Sequence, residues 1–254
     1  MGTVQGVYLK YVVLSATSYG LLYCLAPRDE VGLQAAGAPP LWLLSGLAYL
    51  SAINALIAAL FRLETGMEVL GKDEETGELP LWSYVLFAGF HFPTWLYTRL
   101  HKLKDDFVGV AVADKVAPGW WLGGRYAGEL GRKWAGIIDL TCEFPEGCTG
   151  SSADCYLLLR CWDGVPPTPE QLERAAAFAV RQSSKGDIVV HCAHGRGRST
   201  TVMCACLVKA GLFKTWQDAF DACKAKRKVV KLNSKMRSAL AGWQELHSGR
   251  VKKA

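Results

Sequence analysis

No residue between Val31 and Phe61 carries a charge, and the stretch Leu41–Phe61 (LWLLSGLAYLSAINALIAALF) is apolar around its whole circumference. A helix rises 1.5 Å per residue, so about 20 apolar residues match a hydrocarbon core of about 30 Å. Such a helix has no polar face to turn toward water, which leaves lipid or the core of a helical bundle as its surroundings. Two more uncharged segments flank it. Leu79–Thr98 carries Trp82, Trp95 and Tyr97 near its ends, as an aromatic belt would. Tyr11–Ala26 is shorter and more polar, bounded by Lys10 and Arg28. These stretches predict an all-α transmembrane region over 1–104, with spans at about 11–27, 41–61 and 79–98. A cleavable signal peptide is the alternative for the first span, but no small-residue cleavage site follows it. The start MGTVQG lacks the Ser or Thr of a myristoylation signal.

Charge divides the chain at the same place. Residues 1–103 carry a net −2 and residues 104–254 a net +8. Counting Lys and Arg near the spans sets Lys10, Arg62 and Lys72 against Arg28, Arg99, Lys102 and Lys104. That single extra charge leans a multi-pass topology toward a cytosolic C-terminal domain. His91 and Pro93 in the third span read as a helix-end proline with a satisfied histidine. Nine cysteines (24, 142, 148, 155, 161, 192, 204, 206, 223) form an odd set without a C-x-x-C pair or zinc-ligand spacing. They fit reduced, buried side chains in a reducing compartment, with no metal.

From residue 105 the pattern changes to short apolar runs separated by Gly, Pro and polar residues. Phe107–Val112, Trp120–Leu122, Trp134–Leu140, Cys155–Cys161 and Asp187–His191 read as strands. Helices are expected over Glu170–Arg181, Ser199–Ala210, Trp216–Lys226 and Ser234–His247, the first capped by Thr168 with Glu170 and Glu173 behind it. Strands alternating with helices predict an α/β domain over 105–254 whose central, mostly parallel sheet is flanked by helices. Ligands of such sheets gather beyond the carboxyl ends of the strands, which should bring Cys192, Asp163 and Cys142 together.

The loop His191-Cys192-Ala193-His194-Gly195-Arg196-Gly197-Arg198-Ser199 joins a strand to a helix. Gly195 and Gly197 let the backbone of Ala193, His194, Gly195, Arg196 and Gly197 curl so that N–H groups converge. The following helix adds its positive dipole end, and the result is a nest for an anion, phosphate above all. A cysteine at its base is held toward thiolate and becomes a nucleophile. Arg198 can grip two phosphate oxygens through its planar fork, and Ser199 can hydrogen-bond the sulfur. His191 reads as a supporting residue that orients the loop. Arg196 either meets a polyanion or turns to solvent or an internal acid. A Walker-type nucleotide loop is absent.

HCAHGRGRS resembles the signature of the cysteine-dependent protein tyrosine and dual-specificity phosphatases, and DKVAPGWWLGG through WAGIIDLTCE resembles the opening of dual-specificity domains. The likeness spans about residues 107–247. It implies two-step hydrolysis of a phosphomonoester through a phosphocysteine, without a cofactor. It also implies an acid loop 25 to 40 residues before the cysteine. Asp163 fits, 29 residues upstream in Cys161-Trp162-Asp163-Gly164-Val165-Pro166. Asp154 and Asp187 are weaker rivals. The full Trp-Pro-Asp of the tyrosine-specific enzymes is missing, which favours the dual-specificity type.

The basic run Lys224, Lys226, Arg227, Lys228, Lys231, Lys235 and Arg237 reads as a solvated face or a dock for anionic lipid. The expected partners are a bilayer and a phosphorylated protein or phospholipid, with no nucleic acid. A catalytically idle phosphate-binding or scaffold protein is the competing class. Cys142 reads as structural, with a protective disulfide to Cys192 as the alternative.

Overall fold

The computed structural model describes residues 6–27, 39–148 and 155–251. Asp154 and Arg28 lie outside them. The chain divides into two compact units. A helical unit takes the described residues within 6–66 and 82–96, and a sheet unit takes those within 67–81 and 97–251.

In the helical unit, α1 (Tyr8–Leu25) packs against α2 (Leu41–Leu63). Tyr11 meets Phe61 while Ser15 donates to the Ser51 carbonyl, so the two helices run antiparallel. Among the described residues α2 is the one helix long and apolar enough to cross a bilayer. The third expected span is not a single helix. It is interrupted at Phe87, between α3 (Leu81–Leu86) and α4 (Ala88–Phe107). Tyr49 explains how the break is tolerated: its hydroxyl donates to the Leu86 carbonyl and accepts from the Gly89 N–H, both at 3.1 Å. Backbone groups freed by a helix interruption need such a partner. Gly89 is required there, because a Cβ would lie 2.8 Å from Leu50 and 2.9 Å from Ile53.

Helix α4 also runs further than expected, through Arg99, Lys102 and Lys104 to Phe107. It ends at Gly109 (φ +73°), where the Val110 N–H reaches back to the Asp105 carbonyl. The strand expected over Phe107–Val112 is therefore helix end and turn. The first strand, β1, is Ala113–Ala117, a sequence with less apolar character than the run before it.

Strands β2 (Trp120–Gly124), β3 (Gly136–Thr141), β4 (Tyr156–Cys161) and β5 (Ile188–Cys192) complete a five-stranded sheet of order β1-β2-β5-β3-β4. Only the β1–β2 pair is antiparallel, and the α/β class expected from the alternation is what forms. Helix α5 (Pro169–Ser183) joins β4 to β5, and α6 (Arg198–Lys209), α7 (Trp216–Lys226) and α8 (Ser234–Val251) follow β5. Thr168 caps α5 as expected, although its capping-box partner is Gln171. The core joins Leu122, Ile138, Leu140, Leu172, Val190, Val202, Met203, Met236 and Leu240, none appreciably exposed.

The division of the chain expected at residue 104 falls elsewhere. Residues 67–81 belong to the sheet unit, held there by a buried ion pair, a partly exposed one and backbone hydrogen bonds. The Lys72 ammonium meets Asp139 and donates to the Thr141 carbonyl and hydroxyl, both at 3.0 Å. Arg160 donates to the Lys72 carbonyl and pairs with Glu74, both at 2.6 Å. The Glu146 N–H donates to the Gly77 carbonyl.

Candidate active site

β3, β4 and β5 end side by side at Thr141, Cys161 and Cys192, and the loop from Cys192 to Arg198 leads directly into α6. The loop lies flat against β2. At Gly195 (φ +65°) a Cβ would fall 2.4 Å from the Gly123 carbonyl carbon, so glycine is required. Behind the loop, buried Arg227 donates to the carbonyls of Gly195 (2.8 Å), His194 (3.2 Å) and Ala111 (2.8 Å) and pairs with Asp114. It draws those two loop carbonyls backward. Arg227 is thus an internal clamp and not part of the basic surface run in which sequence reading placed it.

Cys192 is buried, with its sulfur 3.3 Å from the Ser199 hydroxyl. Burial alone raises a thiol's pKa. Here the Arg198 guanidinium, the Ser199 hydroxyl and the N–H groups of Ser199 and Arg196 outweigh it and hold the Cys192 thiol below its ordinary value. The neighbouring thiols behave oppositely. Burial and then Glu143 push Cys142 up, and burial pushes Cys161 up to about 12.

Arg198 is buried and pinned on one side only. Its Nη1 donates to the carbonyls of Cys161 (2.6 Å) and Leu140 (3.1 Å) and to Glu143 (3.2 Å), while Nη2 donates to Glu143 (2.7 Å). Its Nε has no partner among the described residues. The guanidinium is oriented by β3 and β4 and leaves its Nε N–H unspent, a donor suited to an oxyanion. Burial raises the Glu143 carboxyl, but Arg198 prevails and holds it below the usual range. Sequence reading missed Glu143. It had pointed to the end of β3 and chosen Cys142, one residue away.

Asp163 lies 3.7 Å from Arg198 Nη2 with its carboxylate 47% exposed, open to a substrate and to water. Its loop is held on both flanks. Trp162 before it is wholly buried, and Asn233 donates to the Gly164 carbonyl at 2.8 Å while capping α8 through the Met236 N–H. Asp187 is engaged elsewhere, accepting from Trp121 and Arg132.

His191 faces into the unit and pairs with Glu146 at 2.9 Å. Parallel pairing also puts it beside Asp139, 3.8 Å away. Burial disfavours the charged ring, yet Glu146 and then Asp139 raise its pKa to about 9. Glu146, Cys148 and His191 offer donor atoms within 4.8 Å of one another, but the His191–Glu146 hydrogen bond already accounts for two of the three. On the loop's outer rim, Arg196 is held by Asp105 of α4 in a two-point contact at 2.7 and 2.9 Å. The His194 ring meets His101 edge to face at 4.4 Å. The internal acid weighed for Arg196 is therefore Asp105.

Residues 168–245 match the family model of the dual specificity phosphatase catalytic domain. Over that stretch the sheet unit is similar to the catalytic domain of the dual specificity phosphatases. The match covers α5 through most of α8 and includes the whole nest. No curated protein matches the chain. Among solved structures, human DUSP28 is 25% identical with a TM-score of 0.47, covering 54% of this chain and 96% of its own. A mouse dual specificity phosphatase solved with zinc tungstate is 22% identical with a TM-score of 0.48, covering 55% and 91%. PTPMT1, solved with PI(5)P, is 20% identical with a TM-score of 0.47, covering 56% and 99%.

Proposed function

We propose that the chain hydrolyses phosphomonoesters through a phosphocysteine at a membrane surface. The observation that carries the mechanism is the lowered Cys192 thiol facing an Arg198 whose Nε N–H is unspent and whose other edge is fixed by Glu143. The Cys192 thiolate attacks phosphorus, the S–P bond forms, and the P–O bond to the leaving group breaks. Asp163 delivers its proton to that oxygen. Arg198 and the loop N–H groups of Ala193 through Gly197 balance the charge on the equatorial oxygens. Water then attacks the phosphocysteine, Asp163 takes its proton, and phosphate leaves as the sulfur returns to thiolate. Ser199 steadies that thiolate as it departs. His191 acts at a distance, holding the base of the loop through Glu146.

The substrate class is a phosphorylated protein or a membrane phospholipid. Because Asp105 neutralises Arg196, loop charge alone argues less for a polyanionic headgroup, and the support for a lipid is the apolar α2 on the same chain. The purified full chain should hydrolyse an aryl phosphate without added metal, and Cys192→Ser should remove turnover while retaining oxyanion binding. Turnover that survives Cys192→Ser sinks the mechanism. A panel of phosphoinositides, phosphatidylglycerophosphate and phosphopeptides then decides the substrate class.

A further inference from the structure

Residues 82–96 leave the phosphatase unit at Leu81 and rejoin it at Tyr97. Both flanks are firmly held in that unit. On one side Lys72 is buried against Asp139, and Arg160 holds Glu74. On the other, Asp105 grips Arg196 and His101 packs on His194. Two ends fixed in one folded unit share one side of any membrane, so the excursion between them can make only an even number of crossings. Even as an unbroken helix these residues would rise about 22 Å, less than one hydrocarbon thickness of about 30 Å. Two crossings are out of reach, and the helix is broken at Phe87.

The excursion is nevertheless apolar on its surface. Trp82, Val85 and Leu86 are exposed on α3, and along α4 an exposed stripe runs through Phe92, Trp95, Leu96, Leu100, Leu103 and Phe107. At helical periodicity these α4 residues share one face, and Tyr97, His101 and Asp105, which meet the nest loop, lie on the opposite one. The stripe continues past Tyr97 into the phosphatase unit, where Phe107 is 92% exposed. Basic Arg99 and Lys104 accompany it, while Lys102 is taken up by Asp106 and Glu129, and an apolar stripe beside basic residues is the pattern of a helix lying in a lipid interface.

We infer that residues 82–96 enter the bilayer from the phosphatase unit's own side and return without crossing, seating the apolar stripe of α4 in the lipid interface. This rests on the membrane residence proposed above, and it replaces the third span. The nest loop then sits on the back of an interfacial helix.

The test uses the full chain in sealed membrane vesicles. A cysteine placed by Glu75→Cys at the exposed turn, in a background of Cys24→Ser, Cys155→Ser and Cys192→Ser that removes the exposed, half-buried and thiolate-prone sulfurs, is probed with a membrane-impermeant maleimide. A C-terminal tag is probed with protease. Position 75 and the tag should react together, either both in intact vesicles or both only after opening. In a carbonate-resistant chain, reaction of one without the other overturns the inference and leaves membrane residence standing. Release of the whole chain by carbonate overturns both. A second probe, Leu103→Cys carrying an environment-sensitive fluorophore, should emit at shorter wavelength in vesicles and be quenched by brominated lipid. Water-like emission that brominated lipid leaves unchanged overturns the interfacial placement of α4.

Discussion

In the helical unit the polar groups turned inward are hydroxyls, an amide and an imidazole: Ser83 with His91, Tyr11 with Thr94, Asn54 with the Leu50 carbonyl. Outward it shows Val13, Trp42, Leu63 and Val85. The sheet unit reverses this, burying Lys72 against Asp139, Glu143 against Arg198 and His191 against Glu146, while its apolar side chains form the sheet core. A buried charge costs several kcal/mol unless paired and hydrogen-bonded. A unit that accepts this cost repeatedly, around one strand edge, is preparing an electrostatic site. Among its described residues the helical unit buries no such ion pair.

The contrast can be broken at its one open carboxylate. Asp163 stands half in water in a unit that hides its other site acid, and general acid catalysis contributes about 10²–10⁴-fold. Asp163→Asn should slow hydrolysis of an alkyl phosphate by about that factor, with a smaller loss for an aryl phosphate, whose leaving group needs less help. Equal losses on the two substrates would falsify its role as the acid.

Next in size is Lys72→Met, which leaves Asp139 buried without its cation and should cost about 3–5 kcal/mol of stability, read by chemical denaturation. Adding Asp139→Asn should recover much of that loss. If the double variant is no more stable than the single, the pair is not what ties residues 67–81 to the sheet.

His191 supplies a pH-dependent term. Its ring holds a proton to about pH 9 when folded, while a histidine in an unfolded chain releases it near pH 6.5. The contribution is therefore complete below pH 6.5 and fades as pH rises through 9. The stability gap between the native chain and His191→Gln should narrow over that window. A gap that widens contradicts the Glu146 and Asp139 pairing. The smallest effect is expected from the helical unit. Asn54→Leu removes a neutral inward amide and should change stability by about 1 kcal/mol or less in detergent. A loss as large as that of Lys72→Met would erase the distinction between the units.

The nest was legible in sequence because it is local: nine consecutive residues carry the sulfur, the glycines and the arginine. Strand ends also pointed to Asp163 through a short apolar run and its turn. Glu143, Lys72 and Arg227 were not legible, since each is placed by contacts with distant segments, and charge in sequence looks the same whether buried or solvated. The run Phe107–Val112 misled because its valines suit a strand, while Gly109 and the end of α4 use them as a helix stop. Leu79–Thr98 misled for a related reason: absence of charge does not tell one unbroken helix from two that meet at Phe87.

One contrast inside the site reaches beyond hydrolysis. Cys192 is held toward thiolate while burial pushes Cys142, Cys148, Cys161, Cys204 and Cys206 away from it. Electrophiles and peroxide react with thiolates, so below neutral pH these sulfurs differ sharply in reactivity. The protein therefore carries its own titrant: alkylation of Cys192 blocked by a bound oxyanion counts the molecules whose nest is intact, independently of any substrate.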